Sequence, residues 1–224
     1  MGKNDKSPVD GARTMENKKR MQTIISRLRK EYPVLKTALN YRSPFELLVA
    51  TILSAQTTDA HVNKVTEKLF RKYRGLDEYL RASPDAFRED VRSVNFFNNK
   101  AKNILGAARM IREQFGGSVP KTMGELLQLP GVARKTANII LYNAFGMNEG
   151  IAVDTHVKRL AKRLGLSRHD DPVKVEQDLM GITPKKEWGD LTHILIAHGR
   201  AVCQARKPMH AKCVLADICP SRDI

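Results

Sequence analysis

Cys203, His210, Cys213 and Cys219 follow one another as C-x6-H-x2-C-x5-C at the end of the chain. Thiolates and imidazoles at such intervals are metal donors, whereas three cysteines confined to one end cannot build a disulfide framework. By composition the set suits a structural zinc ion, an iron–sulfur cluster with one nitrogen ligand, or vestigial thiols without metal. A second reactive stretch is LPGVARKTAN, residues 129–138. Pro130 and Gly131 make a tight turn, and from about Arg134 the apolar residues Ala137, Ile140, Leu141 and Ala144 recur at helical spacing. Arg134 and Lys135 then occupy a first helical turn, where free N–H groups and the positive end of the macrodipole disfavour cations. A phosphate bound there would reward both. The same surroundings, with the partial burial expected for Lys135, disfavour an ammonium, and only the free amine is a nucleophile. Lys135 therefore reads either as a phosphate contact or as an activated amine. Asp154, in AVDTHVKRLAKRLG, reads as the N-cap of a helix whose inner face is Val157, Leu160, Ala161 and Leu164. Backbone N–H groups would hold that carboxylate ionised and fixed.

Helices must position all of these groups. Met21, Ile24, Ile25, Leu28 and Tyr32 share one helical face ahead of Pro33, and Val62, Val65, Leu69 and Phe70 share another. Ala101, Ile104, Leu105, Ala108, Ile111 and Phe115 mark a third helix, stopped by a Gly–Gly pair. Start signals stand at Ser43-Pro44 with Glu46, at Thr122 with Glu125, and at Asp171-Pro172. The stretch TMGELLQLPGVARKTANIILYNAF is thus helix, tight turn, helix, with the second helix's N–H groups facing outward as a phosphate site without sequence preference. No alternating run long enough for a sheet occurs, so the fold class is all-α. A break near 145–150 divides the chain into two helical parts.

The charge balance agrees with a polyanionic partner. Thirty-nine Lys and Arg oppose 24 acidic residues, a formal net charge of +15. No apolar run approaches a membrane span, and the polar N-terminus lacks a secretory h-region, so a cytoplasmic protein is expected.

Taken together, LPGVARKTAN, AVDTH at 152–156 and the terminal cysteine set resemble the helix-hairpin-helix DNA glycosylases, and among them the endonuclease III family. LLVATILSAQTTD at 47–59 and VNFFNNKAKNI at 94–104 match further family motifs in order, and the likeness runs from Gln22 to Cys219. The resemblance implies a hairpin domain over 36–147 and a second helical domain from 16–35 plus 148–224 with a cluster loop. A disordered polar tail over 1–15 is expected to precede them, and the resemblance implies that the active groove lies between the domains. It implies a monomeric base-excision repair enzyme acting on oxidised pyrimidines in duplex DNA. Lys135 would attack C1′ and form a Schiff base that permits strand cleavage 3′ to the lesion, assisted by Asp154. Gln56 would enter the space left by the extruded nucleotide, and Phe96 would wedge beside it. Asp59 and His156 fall in matching motifs with supporting roles. Gly131, Ala133 and Arg134 would contact DNA through the hairpin, although Ala133 stands where the family usually has glycine, and a positive φ there would cost roughly 1 kcal/mol. His210 replaces the second of four family cysteines, so the implied cofactor is a [4Fe–4S] cluster, with zinc or no metal as alternatives. Arg206 and Lys207, between the first two ligands, would reach the DNA backbone. A monofunctional mismatch glycosylase, which usually lacks the lysine, and a non-catalytic hairpin module are the alternative readings.

Overall fold

A computed structural model describes residues 8–222, with side chains from Met15 onward. Among the described residues the regular elements are all helical. The helices are α1 (Pro8–Glu31), α2 (Pro44–Ser54), α3 (Asp59–Lys72), α4 (Leu76–Arg81), α5 (Pro84–Asp90) and α6 (Phe97–Gln114), then α7 (Met123–Leu126), α8 (Arg134–Phe145), α9 (Thr155–Arg163), α10 (Pro172–Ile182) and α11 (Trp188–Ala201). They form two compact units, one of residues 36–149 and the other of residues 1–35 with 150–224. The tail expected over 1–15 is helical from Pro8, where proline at N1 presets the helical φ; residues 1–7 lie outside the described residues.

In the unit 36–149, α2 is the central rod. Ser43 caps it by accepting from the Glu46 N–H at 3.2 Å, and every residue from Glu46 to Leu53 is buried. A helix that is apolar all round must be surrounded, and α3, α6 and α8 pack on it. The short helices α4 and α5 lean on α6 and close the far side with a ring cluster of Phe45, Tyr73, Tyr79 and Phe87. Neither helix is evident from sequence periodicity, since six or seven residues hold fewer than two turns.

In the other unit, Met21, Ile24, Ile25 and Leu28 of α1 join Val157 and Leu160 of α9, Val175 and Leu179 of α10, and Leu191, Ile194 and Leu195 of α11. Helix α11 also escapes the sequence signals, because it is buried on most faces and shows no clean polar stripe. It runs close against α9 at Gly199, where a Cβ would stand 3.0 Å from His156 Nδ1 and 3.1 Å from Arg159 Nη2.

Candidate active site

The hairpin is α7, the turn 127–133 and α8. Thr122 caps α7 by accepting from the Glu125 N–H, and its hydroxyl donates to the Glu125 carboxylate at 2.7 Å. Gly131 turns the chain with φ 79°, and a Cβ there would lie 2.9 Å from Asn103 Cβ of α6. Only glycine satisfies both constraints. Pro130 packs against Gly106 on the same helix, so α6 buttresses the turn. Ala133 is extended at φ −102° and N-caps α8 without a side-chain bond. The strain anticipated for a non-glycine residue at 133 is therefore absent; the left-handed position of this turn is Gly131. Arg134 and Lys135 open α8 as expected. Lys135 is exposed rather than partly buried, because the face that packs inward is Ala137, Asn138, Ile140 and Leu141.

Gln56 and Phe96, the two expected insertion residues, are the only non-glycine residues with positive φ among the described residues, at 54° and 58°. A left-handed side-chain-bearing residue costs roughly 1–2 kcal/mol, and such strain concentrates at functional sites. Gln56 is exposed, as is 61% of Phe96, whereas neighbouring Phe97 packs on the core. The two turns are joined. The Asn95 side-chain amide donates to Gln56 O at 2.5 Å, and the Asn95 N–H donates to Thr57 Oγ1 at 3.3 Å. Behind them, the Lys100 ammonium is buried and donates to Leu53 O at 2.8 Å, Ala55 O at 2.6 Å and Thr57 Oγ1 at 3.2 Å. Burial pulls that amine below the ordinary lysine range. Thr57, Asn95 and Lys100 escape a reading of sequence, since their partners lie about forty residues away along the chain.

The other unit holds the remaining candidates. Asp154 caps α9, its Oδ1 accepting from the Val157 N–H at 2.8 Å. Two residues on, burial pushes the His156 imidazole down, with Arg159 and Arg200 acting the same way and Asp154 opposing them. Asp59, in the unit 36–149, begins α3 next to the Thr58 cap. From α9, Arg159 donates to Gly199 O at 2.9 Å and Cys203 O at 3.0 Å. Arg163 reaches Cys203 Sγ at 3.3 Å, Gln204 O at 2.7 Å and Ala205 O at 2.8 Å. These two arginines, which no sequence signal singled out, fasten the start of the cysteine loop. Cys203, Cys213 and Cys219 are half-buried against the core of the unit. Burial above all, and then the neighbouring thiols of Cys203 and Cys219, push the Cys213 thiol up. Cys213 Sγ lies 3.4 Å from Nε2 of buried His198, whose Nδ1 lies 3.1 Å from Tyr32 Oη. His210 is half-buried and opens a short 3-10 turn, His210–Lys212. Among the described residues no three His, Cys, Asp or Glu side chains converge as the ligands of one metal ion. Arg206 and Lys207 are exposed on the loop.

The chain is 51% identical to endonuclease III of Synechocystis sp. over 93% of its own length and 96% of the relative's. It is 44% identical to endonuclease III of Bacillus subtilis, over 92% and 94% respectively. A solved structure of a trapped endonuclease III–DNA covalent intermediate, an estranged-adenine complex, superposes with a TM-score of 0.87 at 43% identity, covering 92% of this chain and 96% of that one. Residues 49–185, from central helix α2 through the Gly131 turn to the helices that follow Asp154, match one protein family. The chain thereby belongs to the HhH-GPD superfamily of base excision DNA repair proteins.

Proposed function

We propose that the protein is a bifunctional DNA glycosylase and abasic-site lyase that removes oxidised pyrimidines from duplex DNA, with Lys135 as nucleophile and Asp154 as its carboxylate partner. The observation that carries this reading is an exposed lysine in the uncapped first turn of α8, in a chain 43% identical to an endonuclease III trapped covalently on DNA. The hairpin N–H groups and Arg134 hold backbone phosphate, and Gln56 and Phe96 fill the gap left by an extruded nucleotide. Lys135 Nζ, as free amine, bonds to C1′ while the C1′–N bond to the base breaks and its electron pair leaves with the base. In this reading Asp154, fixed by the bond that its Oδ1 accepts from the Val157 N–H, assists loss of the Nζ proton. That carboxylate also offsets positive charge building on the sugar. The C1′–O4′ bond then breaks, O4′ taking up a proton, to give an iminium. A C2′ proton passes to water as the C3′–O bond breaks and the 3′ phosphate leaves, and water hydrolyses the imine to free Lys135. Borohydride should reduce the iminium and trap the protein on damaged duplex, while Lys135→Ala is not trapped. Equal trapping of that variant would overturn the assignment.

By donor chemistry and family resemblance, Cys203, Cys213 and Cys219, with His210 as fourth donor, would hold a [4Fe–4S] cluster. Three half-buried thiols, with the Arg163 guanidinium 3.3 Å from Cys203 Sγ, are a donor set whose thiolate charge a cationic iron core would offset. When bound, the group supplies structure rather than reaction chemistry, pinning the loop that carries Arg206 and Lys207 to the DNA backbone. Iron and sulfide in the purified protein, with broad visible absorption, would support it. A colourless protein with stoichiometric zinc would replace the cluster by a zinc site.

A further inference from the structure

Lys100 is a cation with no carboxylate among its bonded partners, buried to 4% exposure in the unit that carries the hairpin. Its three N–H donors are all used, on two carbonyls at the C-terminal end of α2 and on the Thr57 hydroxyl. The carbonyl end of a helix is the negative end of its dipole, so these oxygens replace water around the ammonium. Thr57 Oγ1 is also the acceptor for the Asn95 N–H, and Asn95 in turn binds Gln56 O. One buried ammonium thus ties the Gln56 turn, after α2, to the Phe96 turn, before α6. Among the described residues these are the two places where a side-chain-bearing backbone is held left-handed against its preference.

We infer that Lys100 is a positioning residue that locks the Gln56 and Phe96 turns into one rigid wedge for opening the base stack. The inference rests on the glycosylase and lyase reading above. An isolated left-handed turn relaxes unless its surroundings over-determine it. The five hydrogen bonds that Lys100 and Asn95 make to residues 53–57 do so here, and three of them come from one side chain. Without the ammonium, Gln56 and Phe96 still exist but no longer arrive together, so the cost of extruding a nucleotide rises while the amine at residue 135 is untouched.

The test compares two substrates: a duplex with an oxidised pyrimidine, which must be opened, and a single strand with an abasic site, which has no partner base to replace. Lys100→Met should lose about tenfold to a hundredfold more on the duplex than on the single strand, the scale of losing charge-assisted hydrogen bonds. Thr57→Val removes the shared acceptor with less disturbance to folding and should shift the same ratio in the same direction by less. If Lys100→Met does not fold, Thr57→Val carries the test alone. Because Lys100 acts through Gln56, adding Lys100→Met to Gln56→Ala should cost less than the product of the two separate losses. Equal losses on both substrates, or fully multiplicative losses with Gln56→Ala, would overturn the inference. A wild-type chain that nicks neither substrate would instead sink the lyase reading, and the inference with it.

Discussion

At the scale of single residues, backbone strain falls on the two positions proposed to enter the base stack. Gln56 and Phe96 sit in a backbone region that favours glycine, yet neither is glycine, so the side chains are worth their conformational cost. Gln56→Gly should relieve that cost and gain up to about 1 kcal/mol in denaturant unfolding, while activity on damaged duplex falls. A variant that lost both would mean that the amide supports the fold rather than the DNA. Asp154 permits a similar separation, since asparagine caps a helix about as well as aspartate but carries no charge. Asp154→Asn should keep its melting temperature and lose about a hundredfold or more in turnover on damaged duplex. The cap at Asp154 and the helix start at Arg134 are legible in the sequence because each depends on neighbours within four residues. Lys100 is not legible in that way. In NNKAKNI it looks like one more solvated lysine, and only the folded chain brings α2's carbonyls to it.

At the scale of elements, the hairpin shows which backbone positions bear load. Gly131 cannot accept a side chain, with φ at 79° and Asn103 at 2.9 Å from the would-be Cβ. Gly131→Ala should cost at least about 1–2 kcal/mol in unfolding and weaken DNA binding by displacing the turn from α6. Ala133 behaves opposite to the family expectation. Being extended at φ −102°, it gains nothing from glycine, and Ala133→Gly should lower stability by about 0.4–1 kcal/mol through the freedom it adds to the unfolded chain. A rise in stability would show that residue 133 is strained after all. The long amphipathic helices are readable from their spacing, as the buried faces of α1, α3, α6 and α9 attest. Helices α4 and α5 are not, being held by a ring cluster assembled from α2, the end of α3, α4 and α5.

At the scale of the whole molecule, charge sets affinity. With a net +15, binding to any duplex should fall steeply with salt. Replacing exposed Arg206 or Lys207 by alanine should flatten the plot of log affinity against log salt by roughly 0.9 for each phosphate no longer neutralised. An unchanged slope would leave those side chains in solvent. Among the described residues no helix is long and apolar enough to cross a membrane. Burial pushes the His193 imidazole down from 6.5, against the pull of Asp190. The unfolded chain therefore takes up a proton that the folded one resists, so this contribution to stability is complete above the ordinary histidine range and drains away as pH falls through it. Urea midpoints measured above and below that range should differ less in His193→Asn than in the parent.

The close approach at Gly199 also limits which sequences this fold can explore. A methyl group there would press on the guanidinium of Arg159, the strap over the first cysteine of the loop. Random substitution at 199 should yield survivors only as rare revertants, or as pairs in which position 156 or 159 has shrunk to make room.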